Sequence, residues 1–181
     1  MPILGILASS KLTAAAGDYE SIATVTVGSG GAANVEFTSI GTDWTHLQLR
    51  YIVRSASDDI MVFSVNNDGG NNYAIHGLFG NGSSASAFAT TSYSFGSIGI
   101  TEGAASCFAA GVCDILDYRN TNKYKTFRSL NGREDNSAGR IELRSSLWMS
   151  TSAITSLKLT LDSNGNFQQY SHFALYGCKS A

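Results

Sequence analysis

Apolar and polar residues alternate along much of this chain, most clearly in residues 45–54. In an extended segment, one side would carry Leu47, Leu49, Tyr51 and Val53. The intervening positions are mostly polar, so one side can face a core while the other faces water, as in an antiparallel strand. The segment contains no Gly, Pro, Asp or Asn that would interrupt pairing. We therefore predict a central strand of a β-sandwich here.

The same period of two recurs in short segments that are separated by clusters of Gly, Asn, Asp and Ser. This spacing indicates about ten to twelve short strands. No segment shows an apolar 3.6-residue period of helical length, and no repeat of the solenoid or propeller kind is present. The pattern predicts an all-β fold, an antiparallel β-sandwich of jelly-roll type.

The strongest local signal lies near the C-terminus, where Leu157, Leu159 and Leu161 alternate with polar residues. Residues 163–166 follow and include Asn-Gly, which favours a hairpin turn because both residues accept positive φ. Residues 167–176 resume the alternation. We predict that these segments form the last hairpin of the fold.

The chain has 181 residues, a length that suits one domain with its own core. Residues 1–18 are predicted to be an apolar arm and linker, and residues 19–181 the sandwich domain. The arm has no basic start, and its apolar run is too short for a signal peptide or a membrane span. Its candidate partner-docking residues are Ile3, Leu4, Ile6 and Leu7, because an exposed aliphatic strip needs a surface to cover it.

Charged residues make up 14% of the chain, and the formal net charge is −2. A general nucleic-acid binder would normally present a basic face, so no direct nucleic-acid contact is predicted. No segment approaches membrane length, so no membrane partner is predicted either. Cys107, Cys113 and Cys178 form no C-x-x-C motif and are interpreted as small buried hydrophobic residues in a protein folded in a reducing cytoplasm.

Motifs for chemistry are scarce. The sequence has no G-x-S-x-G elbow, no H-E-x-x-H, no phosphate-binding loop and no dinucleotide fingerprint. His46, His76 and His172 are isolated from one another, and residues 66–72 lack the alternating acidic residues of a calcium loop. We therefore predict no metal site and no cofactor, and interpret residues 66–72 as a tight turn.

Two carboxylate pairs, Asp114 with Asp117 and Glu134 with Asp135, are spaced as an acid–base pair could be. A glycosidase needs its two carboxyl groups at a defined separation across a cleft, which a sequence does not show. We interpret both pairs as solvated strand ends and predict that the protein is not an enzyme. A polysaccharide-degrading enzyme is the least favoured alternative.

The aromatic residues allow a second interpretation. Trp44, Trp148 and the eight tyrosines could form a platform on which sugars stack. Aromatic residues of sandwiches belong more often to the core, and that is the interpretation preferred here.

Five segments carry a family resemblance. They are Y-E-S-I-A-T-V-T-V-G-S-G-G-A (residues 19–32), H-L-Q-L-R-Y-I-V-R-S (46–55), D-I-L-D-Y-R-N-T-N-K-Y-K-T (114–126), S-S-L-W (145–148) and S-H-F-A-L-Y-G (171–177). In this order they resemble a family of small structural proteins of tailed phages that are abundant in viruses of aquatic bacteria. The resemblance extends over nearly the whole chain, and its motifs are strands and turns without a catalytic residue.

The resemblance implies a virion structural protein, assembled in the cytoplasm of the host bacterium. We expect a capsid decoration or cement subunit that docks by its N-terminal arm on the major capsid protein or another virion subunit and stabilises the shell. A homotrimer at a local three-fold axis would repeat that contact.

The alternative is a receptor-binding module of a tail fibre or spike. Its loops and aromatic residues would then bind a glycan of the host surface. Fibre proteins usually carry a long shaft or a repeat region, and this sequence shows neither, so the decoration role is preferred.

Overall fold

The computed structural model describes residues 17–179. Within this part the chain forms two antiparallel sheets that pack face to face, so the predicted β-sandwich is confirmed. The division into eight and four strands does not confirm the jelly-roll type.

Twelve strands follow one another in the described part: β1 (Tyr19–Thr26), β2 (Asn34–Phe37), β3 (His46–Val53), β4 (Ile60–Val65), β5 (Tyr73–Gly80), β6 (Ala85–Tyr93), β7 (Gly96–Ile100), β8 (Ala109–Leu116), β9 (Lys125–Glu134), β10 (Gly139–Trp148), β11 (Leu157–Leu161) and β12 (His172–Cys178). The large sheet has the order β1-β12-β3-β8-β9-β10-β5-β6, and the small sheet the order β2-β11-β4-β7. All pairs of neighbouring strands are antiparallel.

The core lies between the two sheets and is built from alternate residues of their strands. The predicted central strand is β3, which lies inside the large sheet and buries Leu47, Leu49 and Tyr51 as expected. From the small sheet, Leu159 is fully buried on β11. Phe63 of β4 and Phe127 of β9 meet across the sandwich with ring centroids 4.1 Å apart. These contacts bury the apolar side of each strand and hold the two sheets together.

The predicted C-terminal hairpin is wrong. The turn forms, with Asn164 at a φ of 59° and its N–H donating to the Leu161 carbonyl at 3.1 Å. However, β11 pairs with β2 and β4 in the small sheet, whereas β12 pairs with β1 and β3 in the large sheet. The connection crosses the sandwich at Phe167, which is fully buried and packs its ring 5.0 Å from that of Phe173. The apolar faces of β11 and β12 thus point inward from opposite sheets.

The backbone of β7 depends on side chains of the large sheet. Among the described strands β7 pairs with β4 alone, so it forms an edge of the small sheet. Three side chains of the large sheet form hydrogen bonds with its backbone. The Tyr51 hydroxyl donates to the Ile98 carbonyl at 2.9 Å, and the Ser146 hydroxyl donates to the Ser97 carbonyl at 2.7 Å. The Asn131 amide accepts from the Ile100 N–H at 3.0 Å and donates to the Ile100 carbonyl at 3.2 Å. An unpaired buried backbone group costs free energy, so these bonds allow an edge strand to lie inside the sandwich.

The buried amide of Asn131 provides a test of this arrangement. Replacing Asn131 by Leu keeps a side chain that branches at Cγ but leaves both polar groups of Ile100 without their partner. We expect the free energy of unfolding to fall by about 2–4 kcal/mol. Urea denaturation measures the change, and the exposed Asn122→Leu is the control, with an expected change below about 0.5 kcal/mol. Equal effects of the two substitutions would contradict the role of Asn131.

Residues 66–72 form the predicted turn between β4 and β5. The Asp68 carboxylate accepts hydrogen bonds from the Trp148 indole N–H at 2.7 Å, from Gly70 N–H at 2.9 Å and from the Asn72 amide at 3.0 Å. The bond from Trp148 is the main cause that lowers the pKa of Asp68 below its usual 3.8. The turn is therefore tied to a buried tryptophan of β10 through one ionised carboxylate.

The pKa of Asp68 predicts a dependence of stability on pH. Because the folded protein binds this proton more weakly than the unfolded chain, the stabilisation is complete above the ordinary pKa and is lost as pH falls through the lowered one. We expect the melting temperature to fall between about pH 5 and pH 2. Asp68→Asn, which still accepts the indole bond but does not titrate, should make that fall shallower than in the unmodified protein. Identical pH profiles would refute the assignment.

Candidate docking surface

The large sheet covers the core with one face and turns the other face outward. Side chains of a strand alternate between the two faces, so the outward set follows directly from the register. Seven of the ten large apolar residues that are exposed in the described part lie on the outward face: Tyr19, Ile52, Leu78, Leu116, Leu130, Ile141 and Leu143. The exposed apolar surface is therefore concentrated on one side of the molecule.

In strand β10 the aliphatic residues point outward and the charged residues point inward, which reverses the pattern of an ordinary half-buried strand. Ile141 and Leu143 point outward with 59% and 49% of their surface exposed, while Glu142 and Arg144 point inward and are 1% and 3% exposed. The two inward residues form a buried ion pair, with the Arg144 Nε donating to Glu142 Oε2 at 2.6 Å. Arg144 also donates to the Ser97 hydroxyl of β7. The charged side chains thus belong to the interface with the edge strand, and the aliphatic ones are left outside.

Cross-strand register joins the outward aliphatic residues into two adjacent rows. One row runs through Val112, Leu130, Leu143, Leu78 and Ala87, and the other through Ile52, Ala110, Gly132 and Ile141. We call these two rows the apolar band. It crosses the middle of the large sheet from β3 to β6 and is continuous from strand to strand.

The apolar band is hollow at its centre. Ala110 and Gly132 are adjacent across β8 and β9, and the larger Ile52 and Ile141 flank them in the same row. The small residues leave a shallow depression of about 590 Å³, which Leu130 also lines. This shape accommodates aliphatic side chains that approach from outside the sheet.

A polar network borders the apolar band on the side of β1. The Tyr19 hydroxyl and the Arg50 Nε both donate to Gln48 Oε1, at 2.8 and 2.9 Å, and the Gln48 amide donates to Asp114 Oδ1 at 2.8 Å. The Tyr19 ring stacks on that of Tyr176 with centroids 4.8 Å apart. Burial among these neighbours raises the pKa of Tyr19 above its usual 10. The network fixes the limit of the apolar surface.

An apolar patch with a polar border is characteristic of surfaces that bind another chain. The free face of an antiparallel sheet is usually polar, because water covers it. Here Asn131, Glu142 and Arg144 face inward, while Leu130, Ile141 and Leu143 face outward. The face therefore has the composition of a protein-binding surface and is the candidate docking site.

The three histidines lie on separate strands of the outward face. His46 Nδ1 accepts from Asp117 N–H at 2.9 Å, and His172 Nδ1 lies 2.8 Å from the Thr26 hydroxyl. His76 is exposed on β5. Within residues 17–179, no three His, Cys, Asp or Glu side chains are grouped so that they could hold a metal ion.

Three of the four paired carboxylates lie at strand ends, as predicted, whereas Asp114 lies within β8 and accepts a hydrogen bond from the Gln48 amide. Asp117 follows β8 and forms an ion pair with Lys123, whose hydrogen bond lowers the pKa of Asp117. Glu134 and Asp135 accept backbone N–H groups of the turn between β9 and β10, and the bond from Ala138 contributes most to lowering the pKa of Asp135 to about 2. These carboxylates stabilise turns by satisfying backbone donors.

The tryptophans belong to the core rather than to a sugar platform. Trp148 is 2% exposed, and Trp44 packs against the core cluster.

The interpretation of the cysteines is right only in part. Cys113 is buried, but Cys107 and Cys178 are only partly buried, because Cys107 precedes β8 and Cys178 lies on the outward face at the end of β12.

The predicted docking residues of the arm, Ile3, Leu4, Ile6 and Leu7, lie outside the described residues. Comparison of the chain with protein-family models and with curated proteins found no match. Residues 17–179 include no helix with the length and apolar character that a membrane crossing requires.

The orientation of the two faces can be tested by substitution. Leu130→Asn, on the outward face, should lower the free energy of unfolding by about 1 kcal/mol or less. Leu49→Asn, at a fully buried position of the inward face, should lower it by about 3–5 kcal/mol, because it opens a cavity and buries an amide. Urea denaturation of both variants measures the difference. Equal costs would show that the outward face is packed as tightly as the core.

Proposed function

We propose that this chain is a non-enzymatic structural subunit of a tailed-phage virion. Its most direct role is that of a capsid decoration or cement subunit, which docks by its N-terminal arm and stabilises the shell. The observation that carries the proposal is the apolar band, a continuous aliphatic surface on the outward face of a sandwich.

The apolar band supports an assembly role for a physical reason. Leu130, Ile141 and Leu143 are each about half exposed in the isolated chain, and covering them with another protein surface is favourable. The sheet beneath them is supported by the core and by the buried bonds to β7, so it offers a preformed surface. A preformed surface loses little conformational freedom on binding.

The resemblance of five segments to small structural proteins of tailed phages supports the virion as the place of this assembly. In that setting the partners are the major capsid protein or neighbouring virion subunits, met after synthesis in the host cytoplasm. A cyclic homotrimer at a local three-fold axis would present three copies of the docking surface together, and the shell would be held by several contacts at once.

The second candidate is a receptor-binding module of a tail fibre or spike. Tyr124 and Tyr170 favour it, since both are exposed, at 51% and 68%, in segments outside the strands. An exposed tyrosine ring offers an apolar face and a hydroxyl to a sugar. A glycan of the host surface would then be the partner.

The location of the protein in the intact particle separates the two roles. Cryo-electron microscopy of the particle should place its density over the shell, at three-fold or quasi-three-fold positions. Density at the tail alone would reject the decoration role and favour host recognition. Density at neither place would reject both roles.

Deletion of residues 1–8 tests the role of the arm. We expect the shortened protein to fold into the same sandwich and to lose its binding to particles that lack the native subunit. As a control, Gly and Ser replacing residues 1–8 at equal length should abolish binding to the same extent, because the aliphatic side chains are what docks. Undiminished binding of either variant would remove the arm from the docking contact.

A further inference from the structure

We propose that, in the free subunit, the N-terminal arm of the same chain lies across the apolar band. The inference goes beyond the role in the virion, because it concerns the isolated protein and names the segment that covers its outward face.

The chain enters the sandwich beside this face. Residues 1–16 precede the described part, and β1 begins at Tyr19. Strand β1 is an edge of the large sheet, and the Tyr19 side chain lies on the outward face, bonded to the polar border of the apolar band through Gln48. The arm therefore starts at the edge of the surface that it is proposed to cover.

The arm is long enough to reach the apolar band. Leu143 lies on β10, five strands from β1, which is about 24 Å at the usual strand spacing. Along the strand axis, the register offsets Leu143 from Tyr19 by four residues. This offset corresponds to about 13 Å. The twelve residue steps from Leu7 to Tyr19 span up to about 40 Å when extended, against a direct distance of about 27 Å between Tyr19 and Leu143.

The composition of the arm matches the surface. Ile3, Leu4, Ile6 and Leu7 fall within five consecutive positions, Leu12 adds a fifth aliphatic side chain, and Lys11 is the one charged side chain of residues 1–16. The hollow between Ile52 and Ile141 is lined mostly by aliphatic residues and glycine, and polar side chains, among them Arg50 and His172, also line it. Aliphatic side chains of the arm would bury apolar surface against the aliphatic part of this lining.

Attachment to the same chain favours this occupant over a second copy. A tethered segment is present at an effective concentration in the millimolar range, which a separate subunit in dilute solution does not reach. On the particle, the arm would leave its own sheet and bind the neighbouring subunit instead.

The test compares methyl NMR spectra of the free full-length protein and of the protein without residues 1–8. We expect the methyl signals of Leu130, Ile141 and Leu143 to shift on deletion. The methyl signals of Ile60, which is 37% exposed on the small sheet, should stay in place. The differences should be the same at every protein concentration, since the contact lies within one chain.

A pair of matched variants assigns the shifts to the aliphatic side chains. Ile6→Asp with Leu7→Asp should reproduce the spectrum of the shortened protein. Ser9→Asp with Ser10→Asp adds the same charge at neighbouring positions of the arm and should keep the spectrum of the full-length protein.

Three results would overturn the proposal. The first is a set of outward-face signals that is identical with and without residues 1–8. The second is a shift that appears when unlabelled full-length protein is added to labelled shortened protein, which would assign the arm to another molecule. The third is a shift that depends on concentration in both proteins alike, which would assign the apolar band to a second copy of the sheet.

Discussion

The hydrogen bonds that cross the sandwich to β7 determine much of this structure. An edge strand inside a sandwich needs partners for its backbone, and Tyr51, Asn131 and Ser146 of the large sheet supply them. Polar side chains must therefore point inward from β9 and β10, where a core would ordinarily place aliphatic ones. The buried pair of Glu142 and Arg144 belongs to the same interface, since Arg144 also bonds Ser97 of β7.

The outward face follows from that constraint by the period of a strand. Once Asn131 and Glu142 point inward, their neighbours Leu130, Ile141 and Leu143 must point outward. Successive side chains of a strand point alternately to the two faces of the sheet, so no other orientation is available to them. The aliphatic residues are then available to a partner rather than to the core. The same sequence positions that hold β7 in place thus create the surface on which the proposed assembly depends.

The alternation of residues 45–54 was sufficient to predict β3 and its buried side, because apolar and polar residues there agree with burial. The same alternation was insufficient for β10, because there the charged side chains are buried and the aliphatic ones are exposed. The charged side chains are buried because they face β7, which is distant in sequence. Turn chemistry predicted the turn at Asn164 correctly, but a turn is local and does not decide which sheet the next strand joins. The apolar band required the register of six strands, β3, β8, β9, β10, β5 and β6, and so could not be predicted from any one segment.

The proposed assembly requires that the apolar band is covered by a partner. Hydroxyl-radical footprinting of the assembled protein, read out by mass spectrometry, measures that coverage. We expect strong protection of Leu130, Ile141 and Leu143 relative to their oxidation in the unfolded chain, with Ile60 on the small sheet as an exposed aliphatic reference. Oxidation of the three outward residues as extensive as that of Ile60 would contradict it.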